Sequence, residues 1–373
     1  MELKIFNREL NLIYIIDTFK SFRFNHKFYN LGECELHLPF SIEALEVLKI
    51  DNIIYVDKRN SFIIHTREII RDNEGAEWIV IHGKSLIEIL SRRINYNQVI
   101  IKNKEGNEVV KRLLNENIIN PSDKDRTIDN LIIGELVEVD KINYQDTYGN
   151  ILEELLKLSN TLNISFYIEL DYINKKLVLN SFKGLDRSIN QNKLSYCIFS
   201  QDYENIEEQE YVNSLDNYKN VALVCGAGEG KDRKKLEISN NSFGLDRKEL
   251  YVDSRDLSDK EQKEDSEGNS VEVDIPDTEY YEMLRQKGNE KMSEYKEVET
   301  FESKILLSSN LKYKIDFNIG DTVTIINKKW NLIINTNITE VEEVYEDTKS
   351  ISVTFGNNIP TLIDKIKMKM GVV

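Results

Sequence analysis

The stretch DTVTIINKKWNLIINTNITEVEEVYEDTKSISVTFG, residues 321–356, decides the fold class. Apolar and polar residues alternate along it, and turn-forming residues such as Asn and Asp separate the alternating runs. An alternation with a period of two predicts β-strands with one buried face, joined by turns. The stretch is therefore predicted to be all strand and turn.

A similar block lies near the N-terminus. There Asp51 opens DNIIYV, and the block passes through IIHT and closes with IVIHG at Gly83. In the C-terminal block Asp321 opens DTVTII, and the block passes through IINT at the same spacing and closes with SVTFG at Gly356. Strand alternation alone makes some similarity easy to obtain. The preferred interpretation is an internal repeat, two copies of one small β-barrel-like module.

The middle of the chain mixes helix and strand signals. NEVVKRLLNENII (107–119) and GNILEELLKLSNTLNI (149–164) place apolar residues at helical spacing. SFYIELDYINKKLVLNSF (165–182) predicts a β-hairpin that turns near Asn174. The predicted fold class is therefore mainly β, with two β-barrel modules flanking a mixed α+β insertion.

These patterns divide the chain into four segments. Residues 1–100 are predicted to form the first module and to end in a helix at KSLIEILSRRI, and residues 101–204 the α+β insertion. Residues 205–360 are predicted to form the second module, with an acidic-loop and helical insertion of its own. Residues 361–373 are left as a C-terminal tail.

The second module is interrupted by an acidic stretch. LSDKEQKEDSEGNSVEVD (257–274) is poor in apolar residues and is predicted to be an exposed loop. A helix is expected after it, weakened in its middle by Gly288. The predicted apolar face of that helix consists of Tyr281, Leu284, Met292 and Tyr295.

The charge balance is acidic. Lys and Arg total 49 against 65 Asp and Glu, a formal net charge of −16. Such a surface repels nucleic acid and anionic membranes. Two interpretations stay open: plain solubility, or an acidic wall past which DNA slides without sticking. Since no apolar run approaches the length of a membrane span and the first residues are unlike a signal peptide, a soluble protein made in the cytoplasm is expected.

Cysteine and histidine usage gives no sign of a disulfide or metal site. The three cysteines are far apart and have no CxxC spacing, which predicts buried thiols in a reducing compartment. The four histidines lack HxH or HxxxH spacing. These residues are Cys34, Cys197, Cys225, His26, His37, His65 and His82.

VALVCGAGEGKDRKK (221–235) begins like a phosphate-binding loop, with an apolar run, glycines and a lysine. A Walker A loop needs four residues between its glycine and its Gly-Lys pair, then Ser or Thr. Here Gly226 and Gly230 enclose three, and Asp232 follows Lys231. The dinucleotide fingerprint lacks its third glycine, and KDRKKLEIS alternates like a strand where both motifs need a helix. The stretch therefore predicts a hairpin connection with a basic shoulder, and no nucleotide cofactor.

Other chemistry-bearing patterns are weak. In so acidic a chain, a carboxylate pair such as Glu153–Glu154 cannot be singled out as acid and base. Asp186–Arg187 and Asp246–Arg247 are interpreted as turn caps or structural ion pairs. Trp78 and Trp330 are interpreted as core or barrel-rim residues in matching parts of the two modules. No catalytic, cofactor-binding or metal-binding residue is predicted.

Seven pieces spread along the chain carry a family resemblance. They are FYNLGECELHLPF (28–40), IHGKSLIEILSRRI (81–94), FKGLDRS (182–188), FGLDRKELYVDSRDL (243–257), LRQKGNEKM (284–292), YKIDFNIGDTVTI (313–325) and the closing ISVTFG. In this order the pieces resemble the phage tail-associated hub proteins of the siphovirus ReqiPepy-like tail protein family. Members occur in prophages and phage-tail-like bacteriocins of Gram-positive bacteria. None of the pieces is a catalytic motif, and YCIFSQDYENIEEQE departs from the family pattern by its excess of acidic residues.

The resemblance implies a structural baseplate hub, a homotrimer that closes the distal end of a tail tube. Two tail-tube-like barrels per chain would give six per trimer, matching a six-fold tube above to a three-fold spike below. The implied partners are other copies of the chain, the tail tube or distal tail protein, the tape-measure protein, and spike or other baseplate proteins. DNA would pass transiently without specific binding. The implied location is the phage or bacteriocin tail particle.

Two alternatives to a non-enzymatic hub remain. The first is a tail-associated cell-wall hydrolase or endopeptidase, although barrel-like sequence continues to Gly356 and leaves little chain for such a domain. The second is a receptor- or carbohydrate-binding tail module, although the aromatic residues mostly alternate within strands, as core residues do. The tail 361–373, with its basic DKIKMKM, is interpreted as a docking peptide for a spike or neighbouring baseplate protein.

Overall fold

The computed structural model describes residues 1–264, 270–306 and 309–356. The N-terminal elements are β1 (Leu3–Phe6), β2 (Leu12–Ile16), β3 (Ser21–Lys27), β4 (Glu33–Pro39), α1 (Ile42–Val47), β5 (Ile53–Tyr55), β6 (Ser61–Arg71) and β7 (Glu77–Ser85). The middle elements are β8 (Gln98–Glu105), α2 (Gly106–Leu114), β9 (Leu131–Ile133), β10 (Lys141–Thr147), α3 (Ile151–Leu162), β11 (Ser165–Asp171) and β12 (Lys176–Phe182). The C-terminal elements are β13 (Ile198–Ser200), β14 (Ile206–Ser214), β15 (Val221–Cys225), β16 (Lys235–Ser239), β17 (Glu249–Asp253), β18 (Lys260–Glu264), β19 (Ser270–Asp274), α4 (Asp277–Ser293), β20 (Val298–Ile305), β21 (Thr322–Asn327), β22 (Leu332–Tyr345) and β23 (Lys349–Gly356).

One main sheet runs through the molecule in the order β14-β20-β23-β22-β3-β4-β7-β6-β5-β1-β2. Strand β21 also pairs with β22, and β13 pairs with β21. The alternating apolar residues bury one face of each half of this sheet against a core of its own. The first core includes Ile5, Phe24, Phe62, Ile64 and Ile81, and the second includes Phe199, Phe301, Ile338, Val353 and Phe355.

The strand order of the main sheet repeats. The N-terminal unit, β3-β4-β7-β6, continues into β5, whereas the C-terminal unit, β14-β20-β23-β22, continues into β21. Each unit ends in a three-stranded antiparallel meander, β5-β6-β7 or β21-β22-β23. The internal repeat predicted from the sequence is therefore present as a repeat of strand order.

The backbone around two isoleucines shows how closely the meanders correspond. Ile64 exchanges two backbone hydrogen bonds with Asp51–Asn52, both 2.9 Å, and Ile338 exchanges two with Gly320–Asp321, at 2.9 and 2.7 Å. Asp51 and Gly320 both have positive φ, 69° and 87°. A β-bulge follows each isoleucine. Ile64 and Ile338 therefore occupy equivalent positions.

This correspondence corrects the sequence register. The match of IIHT with IINT set Ile63 against Ile333, whereas the structure sets Ile64 against Ile338. The first hairpin of the C-terminal meander is longer, because β21 and β22 pair over Thr322–Asn327 while β5 and β6 pair over Ile53–Tyr55 only. Because side chains alternate along a strand, several registers of two similar strands look equally good in sequence.

The α+β region confirms the predicted helices and hairpin. Helix α3 begins at the N-cap Asn150, whose side chain accepts from Leu152 N (3.1 Å), and ends at Asn163 in the left-handed conformation. Strands β11 and β12 form the predicted hairpin, and β9 joins β12 in parallel. The core of this region also includes Phe6, Ile53 and Ile63 of the N-terminal half, so the region packs on the face of the main sheet opposite the first core.

A second inserted region lies between β14 and β20. Strand β15 pairs with β16 and β17, and α4 packs across them. The fully buried face of α4 consists of Tyr280, Met283, Leu284 and Gly288. Of the predicted face, Leu284 is buried, and Tyr281 and Met292 are partly buried against the same core. A Cβ at Gly288 would lie 2.5 Å from Val224 Cγ2, so this glycine lets the helix approach the sheet closely. The predicted acidic loop 257–274 contains the hairpin β18–β19, whose ladder pairs Lys260 with Asp274.

The prediction of two barrel modules is not confirmed. The described strands form open sheets, and the two units share one sheet because β22 pairs with β3. The helix predicted at KSLIEILSRRI is a 3-10 helix over Leu86–Arg92. The predicted docking tail, 361–373, lies outside the described residues.

Candidate functional site

The junction between the two units is a strand pair. Strands β22 and β3 run antiparallel, from Glu340 opposite Lys27 to Tyr345 opposite Phe22. The ring of Phe24 stacks on that of Tyr345, with centroids 6.2 Å apart and an interplanar angle of 11°. The C-terminal half of β22 thus uses for β3 the same edge that its N-terminal half uses for β21. The junction therefore shows that two units can join through the edge of β22 away from β23 and the edge of β3 away from β4.

A charge cluster around the buried carboxylate of Glu343 ties the units together beside this junction. The ammonium of Lys314 lies 2.8 Å from Asp57 Oδ2 of the N-terminal half and 3.3 Å from Glu343 Oε1 on β22. Lys349 Nζ and the hydroxyl of Tyr345 donate to Glu343 Oε2 at 2.8 and 2.7 Å. Burial alone would raise the pKa of Glu343, but the hydrogen bond from Lys349 and the charge of Lys314 hold this pKa below its ordinary value. Burial acts likewise on Asp57, and Lys314 holds the pKa of that carboxyl low.

A second buried carboxylate organises the turn before β21. Asp321 Oδ1 accepts from Leu185 N (2.8 Å), and Oδ2 accepts from Asn318 N (2.9 Å) and Arg187 Nε (3.1 Å). Thr322 N donates to Leu185 O, so the chain leaving the α+β region is held against the start of the C-terminal meander. Asp321 therefore anchors this turn, since it is buried and accepts three hydrogen bonds from two segments of the chain.

The segment that leaves the α+β region crosses the start of the C-terminal meander, and there the backbones of Gly184 and Gly320 come unusually close. A Cβ at Gly184 would lie 1.8 Å from the carbonyl oxygen of Gly320. A side chain at Gly184 cannot be accommodated without separating the crossing segment, 183–187, from the meander.

The main sheet has uncovered strand edges. Among the described strands, β14 pairs only with β20 and β2 only with β1. The edge of β6 away from β7 pairs with β5 over Ser61–Ile63, and no described strand covers it from Thr66 to Arg71. Along that uncovered part Ile69 is 54% exposed and Ile70 is 43% exposed. Uncovered edges with apolar side chains are templates for pairing with another chain.

The glycine-rich loop is a hairpin connection, as the sequence indicated. Strands β15 and β16 flank it and pair antiparallel. Two of its amides are bonded within the protein: Gly226 N donates to Lys234 O (2.9 Å) and Ala227 N donates to the hydroxyl of Tyr280 (2.7 Å). A phosphate cradle needs such amides free and a helix behind them, so the loop is not built as one.

The Asp-Arg pairs are structural, as interpreted. Arg187 binds the buried Asp321, whereas Arg247 binds Glu237 (3.0 Å) and Glu249 (2.5 Å) at the surface. The backbone carbonyl of Asp246 accepts from Asn220 Nδ2 at 2.7 Å. These contacts stabilise the crossing segment and the start of β17.

The two tryptophans lie in different parts of their units. Trp78 lies in β7, the third strand of its meander, and Trp330 lies in the turn between β21 and β22. They are therefore not in matching parts of the units, which corrects that interpretation.

Glu153 is exposed, whereas Glu154 is buried and accepts from the hydroxyl of Tyr144 at 2.9 Å. The pair does not form an acid–base site.

Cysteines and histidines are dispersed. Cys34, Cys197 and Cys225 are buried free thiols. Burial lowers the pKa of His26 to about 4, with a further contribution from the charge of Arg59. Across residues 1–264, 270–306 and 309–356, no cluster of three or more His, Cys, Asp or Glu is arranged to hold a metal ion. No helix in these same ranges is long and apolar enough to cross a membrane.

The sequence did not reveal the contact between Lys314 and Asp57 or the open edge of β6. Asp57 and Lys314 lie far apart in the chain, and neither stands out among so many charges. The edge could have been found only with the strand order in hand.

A protein family and several solved structures match the chain along almost its whole length. The family model described as "Siphovirus ReqiPepy6 Gp37-like protein" matches residues 2–357. No curated protein sequence matches the chain. The tail protein from Neisseria meningitidis MC58 is similar in structure, with a TM-score of 0.57, 11% identity and 95% of each chain covered.

Two further solved structures share the fold. The prophage tail protein gp18 from Listeria monocytogenes EGD-e has a TM-score of 0.56 and 10% identity, covering 100% of this chain and 99% of its own. The 43 kDa tail protein of prophage MuSo2 from Shewanella oneidensis has a TM-score of 0.54 and 11% identity, covering 95% and 97%. At these identities the similarity establishes a common fold along almost the whole chain.

Proposed function

The chain belongs to the siphovirus ReqiPepy6 Gp37-like protein family, and from this premise we propose that it is a structural tail protein. In this proposal it is the baseplate hub of a phage or phage-tail-like bacteriocin. Three copies close the distal end of the tail tube. The tail proteins that share its fold support the assignment to a tail particle.

The observation that carries the proposal is the tandem arrangement of two matching units in one open sheet. A sheet whose two ends differ joins to other copies head to tail, and such joining makes a ring when the rotation closes. A ring of three chains presents six similar units to a six-fold tube. It presents only three copies of each inserted region, which suits a three-fold spike. The barrel-like walls predicted for 1–100 and 205–360 would be completed in that ring, with 101–204 pointing outward.

The partners follow from that position. They are the tail tube or distal tail protein on one side and a spike or other baseplate protein on the other, with the tape-measure protein inside. DNA passes through without specific binding, in keeping with the net charge of −16. We place the protein in the tail particle after its synthesis in the bacterial host.

We assign it no enzymatic activity. The buried carboxylates and the glycine loop are bonded within the protein, and the solved structures that share the fold are described as tail proteins. Incubation of the purified chain with peptidoglycan should release no fragments above a heat-denatured control. Sustained turnover would replace the hub proposal by the cell-wall hydrolase alternative.

The decisive experiment is the mass and symmetry of the assembled protein. Light scattering and native mass spectrometry of the purified chain should give three times 43.6 kDa, and images of isolated tails should show a three-fold ring at the tube tip. A persistent monomer that is missing from tail particles, or a ring of six chains, is the outcome that overturns the proposal.

A further inference from the structure

We propose that the trimer is joined by antiparallel pairing of the open edge of β6, Thr66–Arg71, with strand β14 of the neighbouring copy. The inference rests on the proposed homotrimer and adds to it the surfaces and the register. Both strands present an edge that no described strand of the same chain covers. The occupant of each edge is a second copy of this chain.

The argument is that the chain already contains this contact once. Strand β22 is the counterpart of β6, and β3 is the counterpart of β14. Within the chain β22 uses its edge away from β23 to pair with β3. The corresponding edge of β6, away from β7, is open over the corresponding residues. A ring of similar units repeats the same contact at each boundary, so the open edge of β6 takes β14.

The register follows from two equivalent rows of directly paired residues across the sheet. The rows are Ile64–Gly83–Cys34–Phe24 and Ile338–Phe355–Phe301–Tyr211. Phe24 therefore corresponds to Tyr211. Within the chain Phe24 lies opposite Glu343, and the counterpart of Glu343 is Ile69, because their partners are the equivalent Ile351 and Ile79.

Between chains, Ile69 is then expected opposite Tyr211. The full set of expected pairs is Thr66 with Ser214, Arg67 with Asn213, Glu68 with Val212, Ile69 with Tyr211, Ile70 with Glu210 and Arg71 with Gln209.

The chemistry of the two edges agrees with this register. Ile69 is 54% exposed in the single chain, and Tyr211 packs at the border of the second core. Pairing would set the isoleucine against the tyrosine ring and remove apolar surface from water, and an aromatic residue opposite a β-branched one stabilises a sheet.

Strand β2 is the competing edge, because it also ends the sheet and exposes Leu12 and Ile15. Among the described strands of the C-terminal unit it has no counterpart, so the repeat provides no partner strand for it. The inference therefore selects β6, and β2 serves as the control in its test.

Disulfide cross-linking of the full chain tests the pairing. Directly opposite residues in an antiparallel pair have Cα atoms about 5 Å apart, within the range a disulfide spans. A chain carrying both Ile69→Cys and Tyr211→Cys should give a covalent trimer under mild oxidation. A mixture of the two single variants should give covalent dimers only, and each single variant none. The native chain, whose cysteines are buried, sets the background.

The control pairs the same Tyr211→Cys with Leu12→Cys on β2, which should not cross-link. A trimer by mass that cross-links through residue 12 instead of 69 overturns the pairing and leaves the hub proposal intact. A trimer that cross-links through neither also overturns the pairing alone. A chain that is monomeric at all concentrations, also in the presence of tail tube, overturns both.

A charged substitution tests the same contact without disulfide formation. Ile69→Lys places a charge at the centre of the proposed contact and should raise the trimer dissociation constant at least about tenfold. Ile173→Lys, at an 80% exposed position in the β11–β12 turn, is the matched control and should leave the trimer unchanged. Unaltered melting of the Ile69→Lys monomer separates lost pairing from lost folding, and an unaltered trimer would argue against the β6 edge.

Discussion

Arg187 Nε lies 3.1 Å from Asp321 Oδ2, and the side chain of Asp321 is only 4% exposed. The aspartate opens the C-terminal meander, and the arginine belongs to the segment that arrives from the α+β region. This ion pair therefore joins two parts of the chain that the sequence separates by three strands of the main sheet, β13, β14 and β20, and a whole inserted region.

Replacing the carboxylate should weaken the fold strongly. Asp321→Ala leaves Arg187 and the amides of Leu185 and Asn318 without an acceptor, and breaking a buried, hydrogen-bonded ion pair typically costs about 3 kcal/mol. Urea unfolding should show this loss, whereas the exposed Asp347→Ala control should stay within about 0.5 kcal/mol of the native chain. Equal stability of the two variants would mean that Asp321 does not anchor the crossing.

The close crossing of backbones gives a second prediction. Gly184→Ala should destabilise the protein by more than about 2 kcal/mol, because its Cβ would overlap the carbonyl oxygen of Gly320. The control is Gly230→Ala, where φ is positive but nothing lies within 4 Å of the added Cβ, so that only about 1 kcal/mol of backbone strain is expected. Thermal unfolding of both variants gives the comparison. A milder loss at residue 184 than at residue 230 would contradict the crossing.

The charge cluster at the junction predicts a pH dependence. The pKa values of Asp57 and Glu343 are held below their ordinary values in the fold, so their contribution to stability is complete above the ordinary carboxyl range and is lost as pH falls through the folded pKa values. Lys314 has a raised pKa, and its contribution is lost only at alkaline pH. The free energy of unfolding should therefore fall between pH 6 and pH 3.

The variant Lys314→Met separates this cluster from the other carboxylates. It should lose roughly 1 kcal/mol at neutral pH and less at low pH, because its partners are then protonated. Lys329→Met, on the turn before β22, is the control whose pH curve should parallel that of the native chain. Parallel curves for all three proteins would remove the cluster as a source of the acid sensitivity.

The glycine loop gives a fourth prediction. The hydroxyl of Tyr280 accepts from Ala227 N (2.7 Å) and donates to Leu257 O (3.0 Å) inside the second inserted region. Tyr280→Phe should cost about 1–3 kcal/mol, because a partly buried amide and a buried carbonyl lose their partner. The neighbouring Tyr281→Phe should cost much less. Amide exchange at Ala227 should rise selectively in the first variant; unchanged protection there would show that the hydroxyl does not hold the loop.

Local signals in the sequence predicted the local structure well. Alternation along residues 321–356 predicted the strands, and apolar spacing predicted α3, which its flanking Asn150 and Asn163 cap. The register between the repeats was mispredicted because alternation is the same at every second residue, so Ile338 looks no better than Ile334 as the counterpart of Ile64.

Long-range features could not be predicted in this way. Separate closed modules were expected, but whether β22 pairs within its own unit or with β3 depends on contacts between distant segments. The same holds for Lys314, whose partners lie in different units. On α4, Gly288 looked like a defect in the helix, and its role appears only when Val224 is packed against it.

The inserted region between β14 and β20 has a geometric consequence of its own. The equivalent connection in the N-terminal unit, between β3 and β4, spans only Phe28–Gly32. Each chain therefore presents two similar strand surfaces to a partner that contacts the main sheet, but a single inserted region to a partner that contacts α4. In the proposed trimer the ring would therefore carry six similar strand surfaces but three α4 regions, so its two sides would suit neighbours of different rotational symmetry.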